Sequence, residues 1–272
     1  MGARTYDVTT RALVMGILNR THDSFYAPAA TFDLDALLTR ADRLVGDGAD
    51  LLDVGGVKAG PGDEVSEAEE LERVVPVVTE LRRRFDVTIS VDTWRASVAA
   101  ACYHEGASMG NDISGFADPE YLPVAAKAGA TVVATHIRLR PRVADPSPHY
   151  DDVTTTVRDF LVERRRWARE AGIEPNRIVL DAGLDLGKTA AHSLQLLRDS
   201  ATLAQLGSPL LLSASNKTFL GVLFDLPVGE RANPSVAATA LGIAAGCRVV
   251  RVHDVASSVR ARDVLARILE DR

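Results

Sequence analysis

The chain is poor in cysteine, aromatic residues and lysine. Its 272 residues include two cysteines, Cys102 and Cys247. Both stand in Ala-rich helical or pre-strand context without metal-ligand spacing, which argues against a disulfide framework or a zinc site and makes them small buried hydrophobes. Lysine appears only at Lys58, Lys127, Lys188 and Lys217 among 31 basic residues, and the formal net charge is -6. No broad basic field is offered to nucleic acid or anionic lipid, so neither partner is expected and any cationic site must be local. A run of about 18 apolar residues is missing, as is a basic segment leading into an apolar stretch at the N-terminus. Membrane spanning and secretion are therefore disfavoured, and a cytoplasmic location is expected.

What the chain does have is alternation. Apolar strands are followed by amphipathic helices eight times, starting with strand Ala12 to Leu18 and a helix from Asp33 to Asp47 with Asp33 as N-cap. Ser66 and Glu69 read as a capping box for the second helix. Strands follow at Val87 to Val91, Ser108 to Ile113, Thr131 to Thr135, Arg177 to Leu180, Leu210 to Ser213 and Arg248 to Val252. The seventh strand leads to a helix over Pro234 to Ala245. Eight βα units with nearly continuous apolar strands predict an α/β fold, a single (β/α)8 TIM-type barrel with eight parallel strands, forming one domain over residues 1–272. The competitor, an open doubly wound nucleotide-binding sheet, would want G-x-G-x-x-G after the first strand, where Asn19-Arg20-Thr21 stands instead.

Five strands end on polar residues, and barrel chemistry gathers at that face. Asp92, Asn111 and Asp181 end the third, fourth and sixth strands. Two carboxylates and an amide suit the edge of a flat heterocycle such as a pterin or purine; the alternative is that the aspartates cap their loops. Lys217 follows the seventh strand and can point into the mouth. Arg251 and His253 are two apart on the eighth strand and share a face, which points to a phosphate or pyrophosphate site; the alternative is a structural pair of Arg251 with Asp254 or Asp225. Gly183-Leu-Asp-Leu-Gly187-Lys188-Thr189 misses the Walker A spacing by one residue, so Lys188, like Lys58, reads as a surface lysine. Arg82 to Arg84 and Arg164 to Arg166 read as solvated helix faces, and His104, His149 and His192 carry no assigned role.

Taken in order, these residues resemble the dihydropteroate synthase family. Met15-Gly-Ile-Leu-Asn19-Arg-Thr-His-Asp23-Ser-Phe25, Asp53-Val-Gly-Gly56, Ser90-Val-Asp92-Thr93 and Asn111-Asp-Ile-Ser-Gly115 match its first four loop motifs. His136-Ile-Arg138, Asp181-Ala-Gly183, Ser215-Asn-Lys217 and Arg251-Val-His253 complete the set. The resemblance implies a transferase of folate biosynthesis that joins 6-hydroxymethyl-7,8-dihydropterin pyrophosphate to p-aminobenzoate or a related aryl amine. It implies that Asp92, Asn111, Asp181, Lys217 and Arg251 hold the pterin, with Asp92, Asp181 and Lys217 acting in catalysis. It further implies that Asn19, Arg251 and His253 hold the pyrophosphate, that Asn19 binds a Mg2+ cofactor, and that the protein is a homodimer.

The departures fall on the second-substrate side. Where the family has Glu-Ser-Thr-Arg-Pro-Gly after its paired glycines, this chain has Val57-Lys58-Ala59-Gly60-Pro61-Gly62. The family's Ser-Arg-Lys is Ser215-Asn216-Lys217. Arg20, Lys58 and Arg138 are the sequence's candidates for the missing cations. Impaired turnover follows as an expectation, with a catalytically inactive pterin-binding paralogue and a methyltetrahydrofolate-type methyltransferase as alternatives. The segment Arg138 to His149 departs from the family and reads as a lid or an insertion.

Overall fold

Strands that are apolar on both faces must be covered on both, and in the computed structural model the sheet achieves this by closing on itself. The structure describes residues 1–2, 4–20 and 34–270. Strands β1 (Leu13–Asn19), β2 (Leu51–Gly55), β3 (Thr88–Asp92), β4 (Met109–Asp112), β5 (Thr131–Thr135), β6 (Ile178–Asp181), β7 (Leu210–Leu212) and β8 (Cys247–Val252) pair in sequence order. Every pairing is parallel, and β8 returns to β1 with Leu13 opposite Val249 and Met15 opposite Arg251. The expected eight-stranded parallel barrel is the fold observed.

Around it lie α1 (Leu34–Gly46), α2 (Glu67–Arg84), α3 (Ala96–His104), α4 (Tyr121–Ala128) and α5 (Val153–Glu170). They are followed by α6 (Ala190–Arg198), α7 (Ser200–Ala204), α8 (Thr218–Phe224), α9 (Ala232–Ala244) and α10 (Val255–Glu270). The expected N-cap Asp33 lies outside the described residues. Half of the expected capping box forms: Ser66 Oγ accepts from the Glu69 amide at 3.2 Å, but the Glu69 carboxylate turns to Arg73 one helical turn on. Helix α8 is an addition to the sequence reading. Its first amides, those of Thr218 and Phe219, donate to Asp185 at 2.5 and 3.3 Å, a cap supplied by a distant loop that no local pattern reveals. Arg164 is also not a solvated residue, for its guanidinium lies 3.7 Å over the Trp167 ring and 4.2 Å over Phe160.

The inside of the barrel is packed. Leu13, Met15, Leu51, Met109, Val133, Val179, Leu211 and Val249 form a core of their own, closed from the N-terminal end by Met1, Tyr6 and Val8. Tyr6 reaches the Thr88 hydroxyl at 2.9 Å and so fixes the N-terminal segment beneath the barrel. The larger core lies between strands and helices and takes in Cys102 and Cys247, both free and buried. No helix among the described residues is long and apolar enough to cross a membrane.

Truncating Leu51 to Ala should cost about 2–5 kcal/mol, because the fully buried side chain leaves a cavity in the inner core that its neighbours fill only in part. Urea denaturation with an unchanged slope checks this.

Candidate active site

Side chains alternate along a strand, so the residue two beyond each inward-facing apolar residue also faces inward. That step takes Leu51 to Asp53, Met109 to Asn111, Val179 to Asp181 and Val249 to Arg251, raising a polar layer directly on the apolar plug. Asn19 pairs with Gly55, Gly55 with Asp92 and Asp92 with Asn111, so four consecutive strands contribute to one rung at the C-terminal rim.

At the centre is Arg251. Its Nε donates to Asp53 Oδ2 at 2.6 Å and its Nη2 to Asp92 Oδ2 at 2.8 Å, and Asn111 Nδ2 donates to the same Asp53 oxygen at 3.2 Å. The alternative partners Asp254 and Asp225 are engaged elsewhere: Asp254 receives the Ser257 amide at the start of α10, and Asp225 ends α8 in the left-handed region. Burial works against the Arg251 charge, but Asp53 and Asp92 outweigh it and hold the guanidinium above its ordinary value. Burial pushes the Asp92 carboxyl up to about 7, with Arg251 pulling the other way. Asp53, fully buried, leaves Oδ1 without a partner among the described residues. Sequence reasoning quoted Asp53 in a motif without giving it a role; its signal was the two-residue step from Leu51.

The sixth and seventh strands close the cup. Asp181 Oδ1 accepts the Gly183 amide at 2.7 Å, so this aspartate does cap its loop, as the alternative reading held, while facing the mouth. Gly183 adopts φ +64, and a Cβ there would lie 1.9 Å from the His136 carbonyl, so only glycine fits. Burial raises the Asp181 carboxyl, and the Lys217, Lys188 and Arg251 charges work against that rise. Lys217 Nζ donates to the Leu184 carbonyl at 2.8 Å; burial lowers its pKa, with Asp185 and Asp181 opposing. Arg231 braces the same loop from behind, donating to the carbonyls of Asn216 and Lys217.

Lys188 overturns its reading as a surface lysine. Its ammonium is buried, within 2.8 Å of both the Gly183 carbonyl and His136 Nδ1 and 3.1 Å from the Leu186 carbonyl. Burial pushes it down to about 7 and His136 to about 3, so the imidazole is neutral and accepts. The near-Walker stretch is thus a loop closed on its own lysine rather than a phosphate cradle. His192 and Thr189 cap each other's amides at the start of α6. Arg251 and His253 face the same way but at different depths. His253 sits at the rim with Nδ1 3.0 Å from Ser215 Oγ, and burial pushes it down to about 4, so it is a neutral hydrogen-bonding group there.

Of the candidate replacement cations, Arg20 donates to the carbonyls of Glu72 and Arg73, and Arg138 pairs with Asp145 at 2.8 Å. Neither faces the cup unpaired. For Mg2+ the fit is a sparse one: no cluster of three His, Cys, Asp or Glu side chains suited to a metal exists among the described residues. Asn19 nevertheless offers an amide oxygen at the rim, 3.2 Å from where a Gly55 Cβ would stand. One hard oxygen suits an ion that keeps its waters and is held mainly by phosphate.

A family model described as pterin binding enzyme matches residues 15–253. The chain belongs to the dihydropteroate synthase family of pterin-binding transferases. It is similar to inactive dihydropteroate synthase 2 of Mycobacterium tuberculosis, 42% identical over 264 residues that span 95% of this chain and 83% of that one. It is also similar to the solved structure of Yersinia pestis dihydropteroate synthase in a sulfonamide drug complex. There the TM-score is 0.93 with 40% identity, covering 98% and 97% of the two chains. A third likeness is to Xanthomonas albilineans dihydropteroate synthase with 4-aminobenzoic acid, at TM-score 0.88 and 38% identity over 95% and 93%.

Replacing Arg251 by Met should lower stability by about 3–5 kcal/mol near neutral pH, since buried carboxylates lose their cation. The abandoned Asp92 carboxyl, raised by burial and no longer held down by Arg251, then binds its proton more tightly folded than unfolded, so the lost stability returns in acid and the deficit grows as pH rises. Urea denaturation across pH checks this; a deficit equal at every pH contradicts the network.

Proposed function

We propose that the cup binds 6-hydroxymethyl-dihydropterin pyrophosphate and that the chain transfers the pterin methylene to an aryl amine. The observation that carries this reading is the inward polar layer of Asp53, Asp92, Asn111, Asp181 and Arg251 on a packed apolar floor. A pterin edge presents ring N–H, exocyclic amine and carbonyl groups, which Asp92, Asp181 and Asn111 complement as acceptors and donor. Arg251, Lys217 and the neutral His253 lie toward the side where an anionic tail would emerge. Magnesium bound at Asn19 with the diphosphate would add positive charge beside the leaving group.

The chemistry asked of the protein is modest. The bond from the methylene carbon to the diphosphate oxygen breaks, the amine nitrogen bonds to that carbon, and the amine's proton passes to the departing diphosphate or to solvent. Carboxylates at Asp92 and Asp181 offset the positive charge that develops on the pterin, while Arg251 and Lys217 stabilise the departing anion. No covalent bond to the protein is needed. As the family resemblance implies, we place the protein in the cytoplasm as a homodimer, a state to which exposed Val222 and Phe224 on α8 are suited.

A second reading, a pterin-binding paralogue without turnover, is favoured by one observation: Val57 to Gly62 lacks the Thr and Arg that the family carries there. Isothermal titration with the pterin pyrophosphate, followed by pyrophosphate release with p-aminobenzoate, separates the two. Binding with release supports transfer, binding without release selects the paralogue, and absence of binding ends both.

Because both Asp92 oxygens are acceptors only when the group is ionised, pterin affinity should climb as pH rises through about 7 and level off above it. Asp92→Asn should weaken binding by about 100-fold and flatten that dependence. A pH profile unchanged by the substitution contradicts the assignment.

A further inference from the structure

The segment from Arg138 to His149 is neither a free lid nor an idle insertion, because it is tied to two other loops of the mouth. The Arg142 amide donates to the Ala59 carbonyl at 3.0 Å. Its guanidinium donates to the carbonyls of Lys58 at 3.0 Å, Gly60 at 2.9 Å and Asp63. The loop after β2 is thus gripped at four carbonyls by one residue. Arg142 holds φ +70, a left-handed conformation that residues other than glycine adopt uncommonly. At the other end Arg138 pairs with Asp145, and the Tyr150 hydroxyl donates to the Gly187 carbonyl at 2.8 Å in the loop after β6.

Between these three loops lies a cavity of about 270 Å³. That is just below the roughly 300 to 1,000 Å³ of typical ligand pockets, and suits one ring rather than a fused pair with a tail. Leu139, Val143 and Leu186 line it, the first two 49% and 39% exposed, so apolar surface is left for a ring to cover. Four charged residues also line it: Arg140, Asp145, Asp185 and Lys188. Asp145 is taken by Arg138, Asp185 by the amides of α8 and the Ser193 hydroxyl, and Lys188 by its carbonyls and His136. Of these four, only the Arg140 side chain has neither a hydrogen bond nor an ionic partner among the described residues.

We propose that Arg140 makes this cavity selective for a single-ring organic anion, and that Arg142 is the positioning residue that holds its far wall. The proposal deepens the reading of the mouth as a transfer site and rests on it for the ligand's role as acceptor. A guanidinium from the strap after β5 then stands in for the cations missing from the loops after β2 and β7. The strap's departure from the family pattern and the loss of those cations become one change, with the charge moved from a loop that closes to a strap that stays.

Ligand-observed NMR with benzoate, p-aminobenzoate and aniline tests this on the whole chain, with and without saturating pterin pyrophosphate. The wild-type protein should bind the two carboxylates about tenfold tighter than aniline. Arg140→Ala should remove that preference, weakening the carboxylates about tenfold and leaving aniline unchanged; Arg140→Lys should restore part of it. Arg142→Lys should speed amide hydrogen exchange over residues 57–63 and weaken all three ring ligands, with pterin affinity unchanged. Carboxylate binding that is absent, or indifferent to Arg140→Ala, overturns the proposal. If the rings bind as described but the pterin does not, the anion site stands and the transfer reading falls.

Discussion

Arg251 holds the mouth of this barrel together. It is the cation to which both Asp53 and Asp92 are bonded, on strands two and three, while its own strand is the last in sequence and closes the sheet onto the first. Burial and the neighbouring Asp53 carboxylate both raise the proton affinity of Asp92, and a low-dielectric rim makes that repulsion costly. The guanidinium offsets it with two charge-assisted bonds in a fixed fork, which a lysine could not reproduce. Because the contact joins residues 159 and 198 positions apart, it exists only when the barrel is closed. Closure and site formation are therefore the same event.

The layering beneath follows from strand geometry. Apolar side chains fill the lower barrel, and the next inward position on each strand arrives two residues later, above the level of the plug. Polar residues there face a packed apolar floor and walls of backbone, so their hydrogen-bonding capacity is turned upward. The orphaned Asp53 Oδ1 marks a place in this layer where acceptor capacity remains unspent. Loops after the strands finish the cup with inward-tied cations: Lys217 on Leu184, and Lys188 on the carbonyls of its own loop.

Much of this was legible in the chain. The eight strands, their order and the convergence of Asp92, Asn111, Asp181 and Arg251 follow from apolar runs that end on polar residues. What escaped was set by contacts between distant loops. Helix α8 depends on Asp185 for its cap, Lys188 is buried by a turn that Gly183 permits, and Arg142 finds its carbonyls some eighty positions back in the chain. His253 was legible as a partner of Arg251 on one face of the strand, but not the burial beside Arg251 that keeps it neutral. The family motifs located the cup, whereas the strap after β5, which matches no motif, is where the structure adds most.

The central claim is that the inward polar layer is shaped for one face of a fused nitrogen ring with its diphosphate at the rim. A crystal structure of the chain with 6-hydroxymethyl-dihydropterin pyrophosphate addresses it most directly. The account predicts the ring edge against Asp92, Asn111 and Asp181, with the diphosphate on the side of Asn19 and His253. A ring seated elsewhere, or one that leaves those three side chains without contact, would contradict it.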